Sequence, residues 1–289
     1  MICFCTTEHL EDGLWFRDEE DFKVGMNHVA IEAALHPEVC ILAFVLMSNH
    51  VHFLLKAQES DARSFMEGFK HRYSIYVRRK YGLKNLLRHN RIDIKEIPFE
   101  DESVEKAMAY TVVNPVAAGI CLHASQYPWG TGCLYFSPKP RRGGKCLKDM
   151  SVRAIKRLIH SDADHLPGHW RMGEDGYILP ENYVDVKEAE AIFRRPQRLD
   201  YFLRKSSKAK KRLESVDEKR PAFKDQSILS TLPDLCRSLF HKECFELLQP
   251  QERVEFVRQI RYRFSADAHQ IARVCGITYA EAARLLDAL

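Results

Sequence analysis

Val39 to Leu55 reads VCILAFVLMSNHVHFLL, two apolar runs parted by Ser48-Asn49, with His50 and His52 opening the second. A strand repeats its side-chain direction every two residues, so His50 and His52 share one face while Val51 points to the other. Two imidazoles on one face of a rigid strand are half of a metal site. The flanking Val, Ile, Phe and Leu, bounded by a Ser-Asn turn signal, predict two adjacent buried strands.

A second group of chemically capable residues lies in Ala107 to Ile120, AMAYTVVNPVAAGI. Tyr110 and Asn114 are spaced i, i+4, so on a helix they share a face. A tyrosine beside a metal site is a candidate nucleophile, because its phenol is weak near neutral pH and needs a metal or a base. Asn114 offers a neutral oxygen that a hard cation such as magnesium or manganese accepts; two imidazoles suit manganese better. Asn114 also precedes Pro115, and Asn-Pro is a natural N-cap and first residue for a new helix, so ligand and cap both stand open. Tyr73 and Tyr76 are rival tyrosines, but their spacing with Phe69 and Lys80 fits a packed stripe under a basic face. On that face His71, Arg72, Arg78 and Arg79 are candidate phosphate contacts. His123, His160, His165 and His169 have no motif around them and read as structural or surface residues.

These residues need a scaffold. Ile2 to Thr6 alternates as a first strand. Asp18 to Leu35 has helical spacing and stops at His36-Pro37. The two strands around His50 follow. Ser60 or Asp61 caps a helix running to about Tyr81 and Gly82. Ile92 to Ile97 reads as a strand, and Asp101 to Ser103 open the helix of Tyr110. The order β-α-β-β-α-β-α is the split βαβ pattern: an α+β, ferredoxin-like antiparallel sheet with helices on one face.

The Asn49-His50-Val51-His52 strand, the Tyr110-x-x-x-Asn114-Pro115 helix, Ala118-Gly119 and the Tyr127-Pro128-Trp129 turn together resemble the single-tyrosine HUH transposases, REP-associated tyrosine transposases in particular. The likeness covers the chain to about Phe136, and Ser48 stands where family members usually have Pro. It implies an HUH nuclease domain in which His50, His52 and Asn114 hold Mg2+ or Mn2+. It further implies that Tyr110 attacks single-stranded or hairpin DNA to give a 5′-phosphotyrosine, and that the enzyme acts as a homodimer. Two rival functions share the motifs: a domesticated, non-catalytic DNA-binding regulator and a replication-type nickase.

The chain has 289 residues, 45% hydrophobic and 29% charged, with a net charge of +4, as in ordinary globular proteins. Its positive charge clusters at 70–80, 139–145 and 204–212, which suggests a polyanionic partner. Nine cysteines without a C-x-x-C pair, and no signal peptide, point to reduced thiols in the cytosol. The expected organisation is an HUH domain over 1–136, a mixed extension over 137–203, a basic flexible linker over 204–228 and a helical module over 229–289. The last ends in a helix-turn-helix pattern, Ala266 to Val274 and Tyr279 to Leu289, joined through Gly276.

Overall fold

In a computed structural model, residues 1–10, 13–83, 86–87, 90–137, 143–162, 164–216, 223–264, 266 and 268–287 are described, the side chains of 207–216, 262 and 287 excepted. Much of the 139–145 basic cluster lies outside them. Four strands, β1 (Ile2–Thr7), β2 (Cys40–Met47), β3 (His50–Lys56) and β4 (Ile92–Ile97), form an antiparallel sheet ordered β2-β3-β1-β4. Ser48 and Asn49 make the tight β2–β3 turn, and β1 pairs with β3 and β4 on either side, Thr6 facing His52 and Asp93.

Helix α1 (Glu19–Leu35) begins at Asp18, whose side chain accepts from the Asp21 N–H, a stabilising N-cap. Helix α2 (Glu59–Tyr81) starts at Gln58, two residues before the expected Ser60, and the cap makes no side-chain bond. Packing of Phe65 and Phe69 on Phe53 therefore sets its start, rather than capping. It ends at Gly82, φ 72°, a left-handed position that favours glycine. α1 and α2 cover one sheet face. Helix α3 (Ser103–Ala117), which carries Tyr110, lies against the other, where Tyr110 meets Phe4 and His52. The sheet is thus sandwiched, which is why β2 and β3 are buried on both faces.

The β2 edge is covered by 129–131. Leu46 N–H donates to Trp129 O at 2.9 Å, and the Tyr127 hydroxyl donates to Leu46 O at 2.6 Å. A Cβ on Gly130 would meet Phe44 O at 2.8 Å, so the close approach requires glycine there. The Tyr-Pro-Trp motif is therefore an edge guard.

The apolar core does not end at 136. After α4 (Val152–Ile159) and α5 (Val186–Phe193) comes α6 (Pro196–Val216), and Ala189, Phe193, Leu199 and Phe202 join the sheet's core. Arg198 bridges Glu102 and Glu105 of α3 at 3.0 and 2.9 Å. Residues 204–216, expected as linker, continue α6 as helix. A second core holds α7 (Asp225–Leu229), α8 (Leu232–Phe240), α9 (Pro250–Phe264), α10 (Ala268–Cys275) and α11 (Tyr279–Asp287). Gly276, φ 65°, makes the turn between the last two, as the helix-turn-helix pattern requires. Leu14 of the first unit is buried in this second core, and Arg17 pairs with Asp234 at 3.4 Å.

Candidate active site

His50 and His52 are 6% and 4% exposed, with ring centroids 4.7 Å apart and nearly perpendicular planes. They leave β3 toward α3, as the two-residue period dictates. His50 Nδ1 lies 2.7 Å from Asn49 Oδ1. A carboxamide oxygen only accepts, so this contact places the proton on Nδ1 and leaves Nε2 as the nitrogen carrying the lone pair. His9 stacks on His50 at 3.8 Å. His9 stands in no recognisable motif. Its signal lay in the pairing: β1 runs beside β3, and past Thr7 the chain stays close, with Leu10 N–H donating to Asn49 O at 3.1 Å.

Across the sheet face, the Tyr110 ring is 5.7 Å from His52 and 5.8 Å from Phe4, both edge-on. Tyr110 is 40% exposed, the only one of the α3 site residues open to a macromolecular substrate; Asn114, one turn on, is 2% exposed. The helix does not restart at Asn114, so the cap reading fails: α3 continues through Pro115 to Ala117. Pro115 has no N–H for the Thr111 carbonyl four residues back. The Asn114 amide nitrogen substitutes, donating to Tyr110 O at 2.8 Å and Thr111 O at 3.3 Å. That use of nitrogen fixes the amide's orientation and reserves Oδ1 as the atom a cation would take.

Among the described residues no three His, Cys, Asp or Glu side chains gather into a metal cluster. Two imidazoles and one neutral amide oxygen are a donor set that fits a divalent ion only partly, leaving positions for water and phosphate oxygens.

The rival tyrosines are structural. Tyr73 donates to Trp15 O at 2.7 Å and Tyr76 to Asp21 Oδ1 at 2.8 Å. Burial, with the Asp21 carboxylate second, pushes both phenols far above the usual range, the wrong direction for a nucleophile. A charged cluster unforeseen in the sequence lies beside them. The Lys80 ammonium meets Asp18, Glu20 and Asp21 at 2.8, 2.8 and 2.9 Å. Burial would pull Lys80 down, but Asp21 and Asp18 outweigh it and hold it above the usual lysine range.

His71, Arg72, Arg78 and Arg79 sit on α2, beneath the opposite sheet face, and do not line the His52–Tyr110 site. Arg72 is engaged by the buried Glu32 at 2.8 Å and by Ser161 at 2.9 Å.

Residues 16–91 match the family model described as "Transposase IS200 like". This stretch is similar to the IS200-like transposases. The matched segment contains His50 and His52 and stops short of Asn114 and of Tyr110, whose place beside His52 is a matter of geometry. A solved structure described as "Structure of the REP associates tyrosine transposase bound to a REP hairpin" is 20% identical, with a TM-score of 0.32. That match covers 45% of this chain and 75% of that one. No curated protein matches. Among the described residues, no helix is long and apolar enough to cross a membrane.

Proposed function

We propose that this chain is a cytosolic DNA strand transferase that cuts and rejoins DNA through a 5′-phosphotyrosine on Tyr110. His50, His52 and Asn114 would hold the divalent ion, magnesium or manganese. The observation that carries the reading is Tyr110 itself, exposed at 40% and edge-on to His52 at 5.7 Å. The resemblance supplies the substrate form, single-stranded or hairpin DNA, and a homodimer as the acting unit.

A bound divalent ion supplies Lewis-acid polarisation of the scissile phosphate, worth several kcal/mol of charge stabilisation. The chain's own residues do the rest. Asn49 holds His50 in the tautomer that presents Nε2. The Asn114 amide, fixed by its two carbonyl bonds, keeps Oδ1 in one orientation. Phe4 and His52 pack the Tyr110 ring so that its hydroxyl reaches out of α3. As the hydroxyl loses its proton, Oη forms a bond to phosphorus. The bond from phosphorus to the 3′-oxygen breaks, and that oxygen takes up a proton. The phosphotyrosine conserves the ester bond for rejoining.

Tyr110→Phe tests this directly. Incubation with labelled hairpin oligonucleotide and Mn2+ should give a denaturation-resistant adduct with the wild type and none with Tyr110→Phe, at equal DNA affinity. An adduct that survives Tyr110→Phe and disappears in Tyr73→Phe or Tyr76→Phe would overturn the assignment.

A further inference from the structure

Between α2 and α4 runs a groove of about 810 Å³ on the far side of the sheet from Tyr110. His71, Arg72, Arg79 and Lys80 line one wall, Lys156 and His160 the other. α4 reads VRAIKRLI, with no acidic residue. Ile155 and Ile159 turn inward to α1, which puts Arg153, Lys156, Arg157 and His160 along the outer face at i, i+3, i+4 and i+7.

Much of the groove's charge is already used. Lys80 serves Asp18, Glu20 and Asp21; Arg72 serves Glu32; Lys156 pairs with Asp162 at 2.8 Å and Asp164 at 3.9 Å; His160 lies 3.5 Å from Glu20. The remainder is cationic: Arg78, Arg79, Arg153 and Arg157 are exposed and enter no ion pair among the described residues. The field on the rim is felt by Asp162, held below the usual carboxylate range by Lys156 first, with Arg72 and Arg79 adding to it.

We propose that the α2–α4 groove and the outer face of α4 form a second DNA-docking surface, gripping the phosphate backbone of duplex DNA through Arg79 on the groove wall and Arg153 and Arg157 on α4. The choice of DNA rests on the strand-transferase reading; the surface does not depend on the cleavage chemistry. The sheet and the α2 layer part the groove from Tyr110 by roughly 20 Å, so one straight duplex cannot touch both. The groove therefore takes a different arm of the DNA from the strand being cut, and it gives the α4 segment a task.

The test uses full-length Tyr110→Phe protein, which cannot be trapped covalently, and fluorescence anisotropy with a 20-base-pair duplex over a salt series. Arg79→Glu/Arg153→Glu should weaken binding at least tenfold and flatten the log K against log salt slope by about 2. Lys148→Glu/Lys187→Glu, which changes net charge equally elsewhere, should shift affinity less than twofold. Thermal melts of both variants guard against misfolding, and Arg79→Gln/Arg153→Gln should give an intermediate loss. Equal losses in the groove and control variants, an unchanged salt slope, or tighter binding of single-stranded DNA or RNA than of duplex would each overturn the proposal. An absent adduct in the wild type would sink the strand-transferase reading and leave this measurement standing.

Discussion

Asn114 repairs its helix with the amide nitrogen and, on the proposed reading, holds a cation with the amide oxygen; substitution separates the two. Asn114→Ala removes the donor that repairs the ladder at Pro115 and leaves Thr111 O without it. The expected stability cost is about 1–3 kcal/mol, that of a buried acceptor losing its partner. Asn114→Asp keeps an oxygen ligand but loses the amide donor. It should be destabilised similarly while retaining Mn2+ affinity within a fewfold, whereas Asn114→Ala should bind Mn2+ more weakly. Parallel melts and metal titrations of the two variants check this, and equal Mn2+ affinity in both would remove Asn114 from the ligand set. The residue scale was the most legible in sequence. That His50 and His52 share a face follows from strand period, and that Tyr110 and Asn114 share one from helix spacing, while the roles proposed for them rest on the resemblance. His9 and Phe4 were not, because they reach the site through strand pairing, which a local pattern does not encode.

The helices were legible as elements and less so as layers. Amphipathic spacing says that a helix has an inner face, not which side of the sheet it covers, so the crossing of α3 to the opposite face had no local signal. The α1–α4 junction was equally hidden, since Asn27 and His28 read as ordinary helix residues. In the fold His28 is fully buried and its Nε2 donates to Ile159 O at 3.1 Å. Burial first, then Arg72, pulls its pKa down to about 3. Below the unfolded value near 6.5, only the unfolded chain takes up the proton. Stability is therefore present at neutral pH and drains as pH falls from 6.5 toward 3, by up to about 1.4 kcal/mol per pH unit. From pH 6.5 to 5 the wild type should lose about 2 kcal/mol more than His28→Gln, read from urea melts at each pH. Parallel pH dependence in both proteins would show that another group governs the acid limb.

At the scale of the whole molecule, the candidate catalytic residues sit in one core and the helix-turn-helix in another. The terminal arginines are mostly committed within the protein. Arg253 bonds Leu248 and Glu246 carbonyls, Arg258 pairs with Glu255, Arg273 with Asp225, and Arg263 donates to Arg17 O. Weak duplex binding by the isolated tail is expected. A cut at Leu203 would sever α6, which braces the Tyr110 helix; a chain ending at Val216 keeps it. That shorter chain should fold and form the adduct, losing about 2 kcal/mol as Leu14 becomes exposed. An adduct assay and a melt on the truncated chain decide this; a folded protein without adduct would place part of the site in the tail.

Leu14 and Trp15 are adjacent in the chain yet buried in different cores. The N–H groups of Trp15 and Phe16 both bond Ser48 O, at 2.8 and 3.1 Å, at the turn leading into Asn49 and His50. In mechanical terms this is a short, taut tether. A pull on the terminal module meets no slack loop before it reaches the hinge of the histidine strand. Through this contact, a load on the terminal module would be passed to the turn that sets His50.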